Sequence, residues 1–163
     1  MFPFMLAPED DTLPAHSMLG ASGSYRWLAC PGSFRLSRSA TPRSMSIYAA
    51  TGTLAHQFIE RALSEGLAEL PADVIGSMHQ VERHVITIDQ PFVDGINVML
   101  GYFNQRMTQF QAFAAERTVK LDRYFRQAGI RPPVRLYGRA DLVMVHGARR
   151  LIEVVDYKNG AGI

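Results

Sequence analysis

The stretch that decides the fold is Val134–Lys158, VRLYGRADLVMVHGARRLIEVVDYK. Two runs rich in β-branched and apolar residues, Val134–Val145 and Leu151–Lys158, flank His146-Gly147-Ala148-Arg149-Arg150. A glycine and two charges between such runs predict a β-hairpin. The second run is apolar on both of its alternating faces, which predicts a central buried strand. A desolvated carboxylate is costly unless it is paired or bound to a cation. Yet Asp141, Glu153 and Asp156 all lie in this hairpin, with Lys158 at its end.

Strand parity sorts these charges. Side chains alternate faces with period two, so Asp156 and Lys158 share one face and Glu153 takes the other. With Gly147–Arg150 as the loop, His146 pairs with Leu151, and counting back sets Asp141 directly across from Asp156. Opposed residues stand about 4.5–5.5 Å apart at Cβ, and like charges there repel. A divalent ion held by both aspartates, with the Lys158 ammonium beside it, relieves that repulsion. The competing reading is a solvated Asp156–Lys158 surface pair of little energetic worth. The apolar run before the triplet, Asn159-Gly160-Ala161-Gly162 after it and Gly138-Arg139-Ala140-Asp141 opposite it favour the metal site.

GRADLVMV at Gly138–Val145 followed by LIEVVDYKNG at Leu151–Gly160 resembles the active-site hairpin of the PD-(D/E)XK nuclease superfamily. The likeness is to its RecB-like branch, which includes the RecB and AddB nuclease domains, CRISPR adaptation exonucleases and phage or prophage exonuclease-like proteins. That branch pairs a G-x-x-D strand with a D-Y-K strand, and Gly138, Asp141, Asp156, Tyr157 and Lys158 match it position by position. The resemblance implies an α/β fold of restriction-endonuclease type, with a small mixed sheet flanked by helices. It also implies a Mg²⁺- or Mn²⁺-dependent deoxyribonuclease, an exonuclease of the kind used in phage recombination or DNA repair. DNA is then the substrate, and a helicase or recombination protein is a candidate partner. In this reading Asp141 and Asp156 hold the metal, the carbonyl of Tyr157 is a neighbouring ligand, and Lys158 orients water or stabilises the transition state. The alternative is a catalytically silent DNA- or partner-binding module that kept the fold.

The remaining sequence is read around this hairpin. At 163 residues and 47% hydrophobic content the chain suits a single globular domain, 1–163. The net charge is only +2, so overall charge does not declare a nucleic-acid partner. A single cysteine, Cys30, excludes an intrachain disulfide framework, and the reducing cytoplasm is the expected compartment. No run approaches the ~18 apolar residues of a membrane span. The first 15 residues lack a basic leader pattern and read as a loose arm.

Residues 12–59 contain no acidic residue and interleave Arg26, Arg35, Arg38 and Arg43 with Tyr25, Trp27, Phe34 and Tyr48. Arginines grip phosphates and aromatic rings stack on bases, so the four arginines are candidate DNA contacts. The aromatics are expected in the core around a short helix near Ser22–Ala29. Cys30-Pro31 matches a position where several members of the branch ligate an iron–sulfur cluster. One thiolate cannot hold a cubane cluster, so Cys30 is expected to be a buried helix-end residue.

In TGTLAHQFIERALSEG, Thr51–Gly66, the residues Leu54, Ala55, Phe58, Ile59, Ala62 and Leu63 share one face of a helix. Thr51 or Thr53 is the expected cap and Gly66 the end. His56 and Glu60, at i and i+4, border the apolar face. A border histidine is most often structural, but Gly52–His56 resembles the branch's G-x-x-x-H element, whose histidine is a metal ligand. The resemblance therefore makes His56 a third ligand and Glu60 a supporting residue or a helix partner.

Leu70–Gln90 reads as connection, with a short strand at Val85–Ile88 and solvent-exposed His79 and His84. Pro91–Ala115 reads as the longest helix, capped by Asp89, on apolar positions at three- and four-residue steps from Phe92 to Phe113. Glu116–Leu121 reads as the first strand, and the resemblance makes Glu116 a further site candidate. Gln127–Pro133 reads as a loop. The chain stops five residues past Lys158, where the branch continues with a helix bearing a Gln-x-x-x-Tyr element. On that ground the expectation is a truncated core that binds metal, cleaves DNA poorly and leaves apolar surface near Val154 exposed.

Overall fold

The computed structural model describes residues 4–5, 19–20, 23–40, 44–120, 122–129 and 137–158; of residues 4–5, 34, 38 and 122–124 only the backbone is described. The elements are, in order, β1 (Phe4–Met5), α1 (Ser24–Ala29), α2 (Ser33–Ser39), α3 (Ile47–Glu65), β2 (Met78–Val81), β3 (His84–Thr87), α4 (Gln90–Arg106), β4 (Ala112–Lys120), α5 (Asp122–Gln127), β5 (Tyr137–His146) and β6 (Leu151–Val155). The protein is thus a mixed α/β structure. One sheet has the order β1-β4-β5-β6 and a second is the β2–β3 hairpin. Two compact units are distinguishable: Met1–Ala7, Ser44–Ala115 and Asp141–Ile163 in the first, Pro8–Arg43 and Glu116–Ala140 in the second.

The first unit is built around two helices. In α3 the Ser46 hydroxyl caps the start, accepting the Ala49 N–H at 3.2 Å. Ala50, Leu54, Ala55, Ile59, Ala62 and Leu63 are buried along one stripe. Gly66 ends the helix in the left-handed region at φ 69°, and the next N–H, of Leu67, returns to the Ala62 carbonyl at 2.9 Å. A side chain at such a φ is strained, so glycine suits the position. The helix starts a full turn earlier than the sequence suggests. Thr51 and Thr53 are therefore interior, and their hydroxyls donate back to the Ile47 and Ala49 carbonyls.

Asp89 caps α4 by accepting the Phe92 N–H at 3.0 Å, with proline in the first turn. At 17 residues α4 is shorter than the 19-residue α3, and it ends at Arg106 instead of running to Ala115. The apolar spacing that suggested a longer helix has another cause. Past the turn at residues 107–109 the chain enters β4, and Phe110 and Phe113 pack back onto Phe103 with ring centroids 5.3 and 4.9 Å away. Three stacked rings from helix, turn and strand imitate one helical stripe. β4 accordingly begins at Ala112, four residues before the expected first strand.

Three further expectations are corrected. Phe4 and Met5, placed in the loose arm, form a parallel strand on β4, opposite Ala112 and Phe113. The connection after α3 contains a hairpin, since His79–Ile86 and Val81–His84 are paired positions of β2 and β3. Its histidines are half-buried and hydrogen-bonded: His79 Nε2 lies 3.0 Å from Ser77 Oγ, and His84 Nε2 lies 2.8 Å from the Met45 carbonyl. Asp122–Gln127 is helical; residues 130–136, expected as loop and strand start, lie outside the described residues.

The decisive hairpin has the expected register. His146 faces Leu151 and Leu142 faces Val155. Its second strand is nevertheless not central. Among the described residues β6 is last in the sheet, and Leu151, Ile152 and Val154 are exposed, Val154 at 64%. Its two apolar faces are one that turns inward, with Glu153 and Val155, and one that is exposed, with Ile152 and Val154. The inward anchor is Glu153. Its carboxylate accepts the Tyr102 hydroxyl at 2.5 Å and the Arg106 guanidinium at 3.1 Å, both from α4. His146 Nε2 lies 3.4 Å away without hydrogen-bond geometry, while its Nδ1 meets the Gln109 carbonyl at 2.7 Å.

These bonds predict a pH dependence. The Tyr102 hydrogen bond, with the charges of Arg106 and His146, holds the Glu153 carboxyl below its ordinary 4.5. The same bond, with burial, pushes the Tyr102 phenol above 10.0. Glu153 therefore stabilises the fold fully above pH 4.5 and loses that contribution as pH falls through its folded value. Tyr102 contributes below pH 10.0 and loses its share as pH rises through its own folded value. Glu153→Gln is expected to lower stability by about 1 kcal/mol at neutral pH. It should also flatten both limbs of the stability profile, read by urea denaturation between acid and alkaline pH. Parallel profiles for the two proteins would contradict the assignment.

Candidate metal centre

The centre is assembled at the end of the β5–β6 hairpin. Continuing the observed register by one step from Leu142–Val155 sets Asp141 opposite Asp156. On β5 Asp141 shares the face of Val143, while Glu153 of β6 shares the other face with Met144. β6 itself stops at Val155, short of the expected Lys158. The ladder is broken there by a side chain, because the Tyr157 N–H donates to Asp141 Oδ2 at 2.5 Å.

Asp141 is only 9% exposed. Its second oxygen, Oδ1, lies 3.5 Å from His56 Nδ1 on α3. His56 borders the buried stripe of that helix and is about one-third exposed at its side chain, at 30%. The Tyr157 ring, 5% exposed, meets the imidazole edge-on with centroids 6.0 Å apart and planes at 66°. One residue thus touches both groups, by its amide and by its ring. The sequence reading assigned Tyr157 only a backbone carbonyl. An aromatic between two charged residues at a strand end, alternating away from both, was the available signal.

The spacing suits a cation. A 3.5 Å nitrogen–oxygen separation is beyond a good hydrogen bond. It is of the order of the distance between neighbouring ligands of one divalent ion, about 3–3.5 Å for bonds of about 2.1 Å. One imidazole nitrogen and one carboxylate oxygen, in a nearly buried position, are donors of the kind that divalent ions take.

Asp156 and Lys158 form a separate, open pair. Lys158 Nζ lies 2.7 Å from Asp156 Oδ2, with side chains 77% and 65% exposed. The Asp156 hydrogen bond raises the Lys158 ammonium above its ordinary 10.5, against the opposing effect of burial, and the charges of Asp156 and Asp141 add to it. At neutral pH the lysine is therefore a cation and not a proton acceptor, and Asp141 lies within reach of its field.

Glu60 is exposed one turn beyond His56. Glu116 opens the part of β4 that belongs to the second unit and has φ 50°. A non-glycine residue in the left-handed region is uncommon within a strand and marks local strain. Arg26 on α1 and Arg35 on α2 are exposed. Arg43 and the side chain of Arg38 lie outside the described residues. Of the aromatics expected in the core beside them, Tyr25 is 76% and Tyr48 86% exposed, Trp27 is half-buried with its indole N–H donated to the Gly20 carbonyl, and the side chain of Phe34 lies outside the described residues. Cys30 ends α1 as expected but is exposed, because that six-residue helix buries none of its side chains.

The pairings predict an order of effects on Lys158. Asp156→Asn should bring the lysine's titration down toward 10.5 by more than Asp141→Asn does, since the hydrogen bond outweighs the more distant charge. NMR titration of the lysine side chain reads this directly, and the reverse order would contradict the geometry.

No curated protein and no solved structure matches the chain. A family model described as "Protein of unknown function (DUF2800)" matches residues 16–163. With that match extending over most of its length, the chain belongs to the DUF2800 family.

Proposed function

We propose that this protein is a metal-dependent deoxyribonuclease, an exonuclease of phage or prophage type acting in recombination or repair. The observation that carries the reading is the pairing of Asp141 with both His56 and the Tyr157 amide at the end of a hairpin. Its observed register ends at Leu142–Val155, one step short of Asp141 and Asp156. The motif residues Gly138, Asp141, Asp156, Tyr157 and Lys158 support the same reading through their likeness to the RecB-like branch.

His56 and Asp141 would hold the ion, with Asp156 and the Tyr157 carbonyl as adjoining ligands and Glu116 as a further candidate resting on the resemblance. When bound, Mg²⁺ or Mn²⁺ supplies an acidified water and neutralises charge on the scissile phosphate. The chain's own groups set the rest. Asp156 holds the Lys158 ammonium at 2.7 Å, and that fixed positive charge stabilises the negative charge building on the phosphate oxygens. Arg26 and Arg35 offer planar guanidinium contacts to the nucleic-acid backbone. Glu60 acts from behind His56 or within its own helix.

The open Asp156–Lys158 pair favours one competing reading, a module that binds DNA or a partner without cleaving it. Its two charges neutralise one another in solvent instead of closing on His56. Two measurements decide. At a hundredfold excess over its dissociation constant, Mn²⁺ should stabilise the protein by roughly 2.7 kcal/mol. For a chain of this size that raises the melting temperature by roughly 5–10 °C, and Asp141→Asn should remove most of the gain. On linear DNA with Mn²⁺, Lys158→Ala should lower turnover by roughly a hundredfold or more. DNA binding that is indifferent to Asp141 and Lys158, with no turnover in the unaltered protein, would establish the silent module.

A further inference from the structure

The middle residue of Asp156-Tyr157-Lys158 has a buried side chain between two exposed charges, and the metal reading uses only its backbone. We infer that Tyr157 is a positioning residue, whose ring orients the His56 imidazole while its amide orients the Asp141 carboxylate. The inference rests on the proposed metal centre for its functional meaning, but its geometry stands independently.

Three observations support it. The Tyr157 ring is 5% exposed and belongs to the main hydrophobic core, so its own orientation is locked by packing. It meets His56 in an edge-to-face contact with centroids 6.0 Å apart. Such contacts prefer defined interplanar angles, because the ring edge and ring face carry opposite partial charge. The Tyr157 amide, three bonds away, donates to the oxygen of Asp141 that does not face His56. Tyr157 thus contacts both members of the imidazole–carboxylate pair that stands at 3.5 Å. Ligands held through locked neighbours lose little entropy on capturing an ion, and removing such a neighbour weakens metal affinity by about 10–100-fold. The edge-to-face contact with His56 is made by the aromatic ring. Phenylalanine should therefore serve where an aliphatic side chain of similar bulk does not.

The test compares the full chain with Tyr157→Phe and Tyr157→Leu. In the absence of metal, NMR of the His56 ring protons should show cross-peaks to the Tyr157 ring and a ring-current displacement. The displacement should persist in Tyr157→Phe and vanish in Tyr157→Leu. Mn²⁺ affinity, measured by calorimetry, should be unchanged in the phenylalanine variant and about tenfold or more weaker in the leucine variant. A folded leucine variant with unaltered His56 signals and Mn²⁺ affinity overturns the inference. Should leucine prevent folding, the wild-type protein decides, since absence of the His56–Tyr157 cross-peaks overturns it and their presence supports it. If the wild-type protein binds no Mn²⁺ while His56 still responds to the ring, the metal reading fails and the positioning of His56 stands.

Discussion

A carboxylate only 9% exposed governs the arrangement of this protein. Burying Asp141 beneath α3 is unfavourable unless each oxygen is compensated. One oxygen takes the Tyr157 amide and the other faces His56, with Lys158 close enough to act through its charge. These demands fix neighbouring structure. β6 must release its ladder after Val155 so that the Tyr157 amide can turn to the carboxylate, and α3 must present its border residue, not its apolar stripe, at the strand end. The helix cap at Ser46 and the left-handed stop at Gly66 set the span within which His56 falls at that border.

The two faces of the β5–β6 hairpin handle charge in different ways. On the face toward α4, Glu153 is satisfied by Tyr102 and Arg106, and His146 is held against the Gln109 carbonyl. That cluster ties the outer strand to the helix by hydrogen bonds where an edge strand has few apolar contacts to offer. Asp141 and Asp156 differ in environment. Asp141 is nearly buried and multiply bonded, while Asp156 is solvated and held by a lysine.

Much of this was legible in the residues. Parity and loop length alone set His146 against Leu151, because strand register is arithmetic once a turn is located. The buried stripe of α3, its end at Gly66 and the Asp89 cap followed from helical periodicity and local capping chemistry. Errors arose where a local signal has two solutions. Phe103, Phe110 and Phe113 meet at helix-like spacing, but the chain turns between them. Thr51 and Thr53 are plausible caps in isolation, and only the packing of Ala50 shows that the helix has already begun.

The sequence by itself determined which residues could share a strand face or a helix face, since those periods are properties of the backbone. It also supplied the chemical types at the centre, an imidazole, two carboxylates and an ammonium group. The tertiary structure decided which of them meet. Whether His56 reaches Asp141 and whether Tyr157 buries its ring against that imidazole depend on how a helix some eighty residues upstream docks on the hairpin. Among the described residues β6 is last in its sheet, although its residues are apolar enough for a buried strand. Apolar content measures what a strand can bury, and only the neighbours brought by the fold determine what it does bury.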